Sequence, residues 1–148
     1  MVERIDDVTL IVFSVVPSDI EFACTVLSTF AKYKVSVDMI SVGSPAGINS
    51  NMAITVSDDM LQESLQAISH LRETYHDLKM TVSSHNCKIS VSDEGMKDKP
   101  GVASDIMAAA YSVHADIRLI TASLIDVSML VTAADADATF DSVKKVII

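Results

Sequence analysis

The residues able to do chemistry in this chain are not grouped as in an enzyme active site. The four histidines, His70, His76, His85 and His114, show no spacing that would bring them together on a metal ion. The sequence contains no glycine-rich loop with a lysine to hold phosphate groups, and no Gly-x-Ser-x-Gly turn to expose a nucleophile. We therefore predict a chain without catalytic residues, metal ligands or a cofactor.

The two cysteines lack the spacing of a metal-binding or redox pair. Cys24 falls within a predicted apolar helix and Cys87 at the start of a predicted strand, so both are predicted to be buried free thiols. Free thiols are typical of a reducing compartment, which predicts a cytoplasmic location.

Charge and hydropathy narrow the possible partners. The 148 residues include 11 basic and 20 acidic side chains, giving a net charge of −9. Nucleic acids and anionic membranes are bound largely through Lys and Arg, so neither is expected as a partner. The most apolar stretch, Val8–Val16, is far shorter than the roughly 20 residues that span a bilayer. Because 49% of the residues are nevertheless hydrophobic, we expect a homodimer or another docked partner.

The chain contains an internal duplication. Residues 8–42 match residues 88–122 in apolar pattern without a gap, and residues 52–71 match 127–146. A repeat of this size is a small domain rather than a solenoid unit. We therefore predict two similar domains, 1–85 and 86–148.

Each copy is predicted to fold in the order βαββαβ from its hydrophobic periodicity and turn residues. In the first copy the predicted strands are Val8–Val16, Val35–Val42, Asn51–Ser57 and Lys79–Ser84. The first predicted helix is Asp19–Tyr33, which begins with a capping box of Ser18 and Glu21. The second begins at Asp58 and has Leu61, Leu65, Ile68 and Leu71 on its buried face.

The second copy repeats this order but has little chain left for its last strand. The predicted strands are Lys88–Ser92, Asp116–Ala122 and Asp126–Thr132. The first predicted helix is capped by Asp98 or Lys99 and has Pro100 in its first turn. The second predicted helix is Asp135–Lys145. Only Val146–Ile148 remains for a fourth strand, which is too short to cover a sheet edge. Either another part of the molecule completes this sheet, or the chain was cut from something longer.

Two strings carry a resemblance to a known family. Gly95-Met96, followed by Pro100-Gly101-Val102-Ala103 and then by Asp116–Ser123, resembles the ACT domain, and the tandem is similar to the paired ACT domains at the C-terminus of aspartate kinases. Val37–Ser41 resembles the first of those domains. The resemblance implies an α+β fold of two ferredoxin-like βαββαβ modules packed side by side.

The resemblance also implies a regulatory function: binding of a free amino acid, lysine or threonine, at the module interface. The effector would control the kinase domain (ATP:L-aspartate 4-phosphotransferase) of the parent chain, which this chain lacks, and the modules would pair as a homodimer. Carried over, the effector-binding residues are Ser18, Asp19, Ile20, Val37, Asp38, Met39 and Ile40 in the first site and Met96, Asp98, Pro100, Gly101, Val102 and Ile117 in the second.

The chemistry of these positions suits a zwitterion. A helix N-terminus offers free amides and partial positive charge to a carboxylate, and Asp38 offers a carboxylate to an ammonium group. Gly101 would allow a ligand to approach the backbone closely. The first copy, however, has Asp19-Ile20-Glu21-Phe22 where the second has Pro-Gly-Val-Ala. The alternative is therefore a free-standing tandem ACT protein with degraded ligand sites that acts through protein–protein contact.

Overall fold

The computed structural model describes residues 1–17, 19–43 and 49–147, and these form an α+β fold. The strands are β1 (Val2–Pro17), β2 (Ile40–Val42), β3 (Asn49–Ser57), β4 (Lys79–Ser92), β5 (Ile117–Ala122) and β6 (Asp126–Thr132). The helices are α1 (Ile20–Lys32), α2 (Leu61–Leu71), α3 (Val102–Ser112) and α4 (Ala133–Ile147), with short 3₁₀ helices at Asp58–Met60 and Glu94–Asp98. None of the described helices is long and apolar enough to cross a bilayer.

The chain divides into two compact units. The first unit is Val8–Ser84, and the second unit is Met1–Asp7 together with His85–Ile148. The predicted module bounds, 1–85 and 86–148, stay a prediction.

The first unit has the strand order of a ferredoxin-like sheet. Its strands lie in the order β2-β3-β1-β4, and β3 is antiparallel to both β1 and β2. Alternate residues of β1 and β3 point into one core, which α1 and α2 close with Phe22, Phe30 and Ile68. The predicted βαββαβ order is confirmed here.

The second unit takes its fourth strand from the N-terminus. β4 pairs with β6 from Asn86↔Thr132 to Ser92↔Asp126, and β5 pairs with the other side of β6. On its free side β4 pairs with β1. There the Met1 amino group donates to the Ser92 carbonyl at 2.7 Å, and the Ser92 amide donates to the Met1 carbonyl at 2.9 Å. Another part of the chain therefore completes this sheet.

The predicted strand at Val146–Ile148 is wrong for the described residues, because α4 continues to Ile147. Val143 is fully buried and Ile147, one helical turn later, packs against the same core. A helical spacing of apolar residues thus extends to the end of the described chain.

Both predicted helix caps are wrong. The N-cap of α1 is Asp19, whose carboxylate accepts a hydrogen bond from the Phe22 amide at 3.2 Å, while Ser18 lies outside the described residues. The N-cap of α3 is Gly101, and Pro100 precedes the helix instead of lying in its first turn. Gly101 has φ 98°, a left-handed conformation that glycine adopts without the penalty other residues meet.

Two burial predictions also fail, because each residue points away from the core. Cys24 is exposed, since α1 buries Phe22, Ala23 and Val26 on its other face. Leu65 is 45% exposed, and Ser64 takes the buried position beside it. The prediction for Cys87 is confirmed, because its side chain is 1% exposed.

Candidate functional site

The first half of the first predicted site lies at the start of α1. Ile20 is the first helical residue and is 75% exposed. Asp19 is exposed too, but its carboxylate already accepts a hydrogen bond from the Phe22 amide. One of the amides that could bind a ligand carboxylate is therefore occupied. Ser18 lies outside the described residues.

The second half of this site is Val37–Ile40, a segment that runs alongside Thr55 of β3 and is hydrogen-bonded to it. The Asp38 amide donates to the Thr55 carbonyl at 2.9 Å, and the Thr55 amide donates to the Met39 carbonyl at 3.0 Å. The Met39 amide instead donates to the Thr55 hydroxyl at 2.9 Å. This side-chain bond interrupts the regular ladder, so β2 begins only at Ile40 and the predicted strand from Val35 is wrong at its start.

The side chains of this segment alternate between core and solvent. Met39 is 4% exposed, and Val37 packs against the core of the first unit. Asp38 and Ile40 point to solvent. Asp38 and Ile40 are thus the two residues of this segment that a ligand could contact.

The two halves do not meet within the first unit. Thr55 pairs with Leu10 of β1, whereas α1 starts beyond Pro17, at the end of the same strand. Pro17 lies seven positions after Leu10, which at about 3.3 Å per residue is roughly 20 Å along the strand. One free amino acid cannot span that distance, so Asp19 and Asp38 of one unit cannot hold the same ligand.

The second predicted site divides in the same way. Met96 and Asp98 belong to the 3₁₀ helix after β4, and Pro100, Gly101 and Val102 lead into α3. Ile117 starts β5 and pairs with Val131 of β6. Val131 pairs in turn with Cys87, which lies five residues before the end of β4.

Burial separates the residues of this site further. Met96, Val102 and Ile117 pack against the core of the second unit, whereas Asp98, Pro100 and Gly101 are exposed. A Cβ placed on Gly101 would meet nothing within 4 Å. Its positive φ therefore accounts for the glycine, and crowding does not.

Sequence reasoning does not single out Thr55, although its hydroxyl and backbone fix Asp38 and Met39. The only local signal is a polar residue in an apolar strand, and Thr55 is 0% exposed. Its role depends on the register between β3 and the segment before β2, which a single sequence does not reveal.

A profile of the ACT domain matches residues 89–146. That segment is similar to the ACT domain family. An aspartokinase of Thermus thermophilus is 28% identical over 130 residues, which cover 86% of this chain and 32% of that protein. Aspartokinase 2 of Bacillus subtilis (strain 168) is 23% identical over 130 residues, covering 88% and 32%. The chain thus spans about a third of the length of the curated relatives it matches.

Solved structures extend the likeness beyond the ACT segment. The regulatory subunit of aspartate kinase from Thermus flavus superposes with a TM-score of 0.87 and 26% identity, covering 99% of this chain and 97% of that chain. The ligand-free regulatory subunit from Thermus thermophilus gives 0.86 and 26%, covering 97% and 95%. The ACT fold and the predicted resemblance to the regulatory region of aspartate kinases are confirmed.

Proposed function

We propose that this chain is the regulatory region of an aspartate kinase and that it senses a free amino acid, lysine or threonine. The observation that carries the proposal is the likeness to two aspartate kinase regulatory subunits over almost the whole of both chains. The phosphoryl transfer from ATP to aspartate would belong to a kinase domain supplied by the parent protein. This chain would contribute control and no catalytic residue.

The effector would sit between paired modules. The start of α1 or α3 would receive its carboxylate, since free amides and the helix dipole favour a negative charge there. Asp38 would receive an ammonium group by a charge-assisted hydrogen bond. Because the start of α1 and Asp38 lie roughly 20 Å apart within the first unit at the strand rise, the contacts to one ligand would come from two modules that face each other.

Such a composite site gives a mechanism for control. An effector held by two modules binds the paired arrangement more tightly than any other, so it shifts the equilibrium toward that arrangement. The kinase domain would respond to the same shift. A homodimer of this chain would supply a second copy of each module.

Thermal unfolding in the presence of each of the twenty amino acids tests the proposal. A ligand at a hundred times its Kd adds about 2.7 kcal/mol to the free energy of unfolding, so lysine or threonine should raise Tm and the others should not. Asp38→Asn should weaken binding of the active amino acid by about tenfold, because a hydrogen bond to a charged group is lost.

The matched control is Asp59→Asn, which removes an exposed carboxylate of the same unit outside the proposed site. This variant should bind the effector like the parent chain. No Tm shift with any amino acid, or an equal loss in both variants, would count against amino-acid sensing.

A second function is favoured by one observation, the apolar outer surface of α3. Met107 is 38% and Tyr111 is 72% exposed there, and Ser104 and Ala108 lie beside them. Such a surface suits contact with another protein. A chain that responds to no amino acid but associates with itself, and loses that association in Tyr111→Ser, would support this function instead.

A further inference from the structure

The first unit contains a cleft beside the start of α1 whose lining includes none of the residues proposed for the effector. This open cleft of about 330 Å³ is lined by Val16 and Pro17 at the end of β1, Phe22 in the first turn of α1, and residues 74–78 between α2 and β4. The cleft belongs to Val8–Ser84 alone. Its use would therefore not require a second module.

The floor of the cleft is apolar and aromatic. Val16, Phe22 and Leu78 are 4%, 2% and 7% exposed. The Tyr75 ring meets the Phe22 ring edge to face, with 4.9 Å between centroids and 79° between planes. A small hydrocarbon group placed here would contact aromatic surface on the protein side.

The wall formed by residues 74–78 is held by backbone hydrogen bonds. The amides of Thr74 and Tyr75 both donate to the Leu71 carbonyl, at 3.1 and 2.9 Å, and the Leu78 amide donates to the Tyr75 carbonyl at 3.1 Å. The cleft is thus formed before any ligand arrives. A preformed site reduces the ordering that binding requires.

The rim carries a negative charge without a positive partner. Thr74, His76 and Asp77 are exposed, and the lining contains one carboxylate and neither lysine nor arginine. Within residues 1–17, 19–43 and 49–147, the Asp77 carboxylate forms no ion pair or hydrogen bond. It can therefore pair with a charge that a ligand brings.

We propose that this cleft binds a small organic ammonium ion with a hydrocarbon body. The hydrocarbon would lie against Phe22, Leu78 and the Tyr75 ring, where it is removed from water. The ammonium group would pair with Asp77 and lie near the aromatic ring, whose face attracts cations. An anion of the same shape would meet the Asp77 charge instead, so the site would distinguish amines from carboxylic acids.

The test is a titration of the ¹⁵N-labelled chain with phenethylammonium chloride, followed by amide chemical shifts. Shifts should concentrate at residues 74–78 and Phe22, with a Kd in the millimolar range that suits so small a ligand. Phenylpropanoate carries a carboxylate on a similar body and should bind far more weakly. Lysine or threonine binding plays no part in this readout, so either proposal can fail without the other.

Two pairs of variants make the assignment specific. Asp77→Asn should weaken the amine by about fivefold, the upper range for a solvent-exposed ion pair, whereas Asp59→Asn should not change it. Tyr75→Phe should keep binding because the ring remains, and Tyr75→Leu should reduce it, with circular dichroism showing that both fold. Equal binding of phenylpropanoate, shifts away from residues 74–78, or equal affinity in Asp77→Asn would overturn the proposal.

Discussion

Arg4 in the N-terminal strand reaches Asp137 in α4, with 2.6 Å between Nη1 and Oδ1. Its Nε donates to Asp6 at 2.9 Å, and its guanidinium carbon lies 5.9 Å from the centroid of the Phe140 ring. One side chain thus joins the N-terminal strand to a helix of the second unit that is more than a hundred residues away in sequence. The neighbouring carboxylates raise the pKa of Arg4 above its ordinary value, which keeps it charged.

Replacing Arg4 with methionine should therefore loosen the N-terminal strand. The variant keeps an apolar stem but loses both ion pairs, so we expect a loss of about 1 kcal/mol in the free energy of unfolding. Urea unfolding measures it. The difference from the parent chain should shrink at high salt, because Asp6 and Asp137 are largely exposed to screening.

Arg72→Met is the control for that experiment. Arg72 is exposed at the end of α2 and makes no side-chain hydrogen bond or ion pair with the described residues. Its replacement should change stability by less than the Arg4 variant. Equal effects at low salt would show that Arg4 contributes no specific contact.

The two cysteines should differ sharply in reactivity. Burial, followed by a hydrogen bond with Asp6, raises the pKa of the Cys87 thiol to about 12, whereas Cys24 is exposed. Only thiolates react with alkylating agents. At pH 9, iodoacetamide should modify Cys24 quickly and Cys87 only when the chain unfolds, as followed by mass spectrometry.

The raised pKa of Cys87 also makes the free energy of unfolding depend on pH. The unfolded Cys87 thiol ionises near its ordinary pKa of 9.0, and the folded one only near 12. A folded pKa that is raised stabilises the fold below the unfolded value, and the contribution is lost as the pH rises from about 9 to 12. Cys87→Ala should show a shallower decline between pH 8 and 10.5, and rapid alkylation of Cys87 in the folded chain would contradict the assignment.

Elements whose signals are local can be predicted from the sequence, whereas features that depend on residues distant in the chain cannot. The strand Asp126–Thr132 was predicted at its observed bounds, because a β-rich apolar run lies between turn residues. No local pattern reveals that Met1 pairs with Ser92, so the sequence alone wrongly predicts the fourth strand at Val146–Ile148. The helical spacing of Val143 and Ile147 is present in the sequence, but it conflicts with the expectation of a fourth strand at the same residues.

The candidate site shows the same limit. Turn chemistry placed Asp19 and Gly101 close to the starts of α1 and α3, whereas Asp38 lies before β2 and not within it. Their separation along the sheet depends on the pairing of Thr55 with Leu10, and pairing register is a long-range property. Sequence alone therefore identifies the groups that could bind a ligand but not which of them share one.

The hydroxyl of Ser64 should destabilise the fold. Its side chain is 0% exposed, and its hydroxyl has no hydrogen-bond partner among the described residues. A buried hydroxyl without a partner costs about 1–3 kcal/mol, so Ser64→Ala should raise the free energy of unfolding by about 1 kcal/mol. Ser69→Ala alters an exposed serine of the same helix and should have little effect in the same urea titration; a loss of stability in Ser64→Ala would show that the hydroxyl is satisfied.

The two copies end their first helices alike, and both ends should be improved by glycine. Lys34 and His114 have φ of 64° and 55°, and each follows a helix whose last carbonyls accept the amides of the next residues, as in Val35 to Phe30 at 3.0 Å and Ala115 to Ala110 at 3.1 Å. This is the Schellman arrangement, in which glycine is favoured at the left-handed position.

Lys34→Gly and His114→Gly should each raise the free energy of unfolding by about 1 kcal/mol or less, because the relief of left-handed strain exceeds the added freedom of the unfolded chain. Lys32→Gly is the matched control: it is the last residue of α1, where the backbone is already right-handed, so glycine relieves no strain and should lower the free energy of unfolding by up to about 1 kcal/mol. Since the two sites lie in different units, their gains should add in the double variant. Destabilisation by glycine at both positions would mean that the lysine and histidine side chains make contacts that outweigh the backbone.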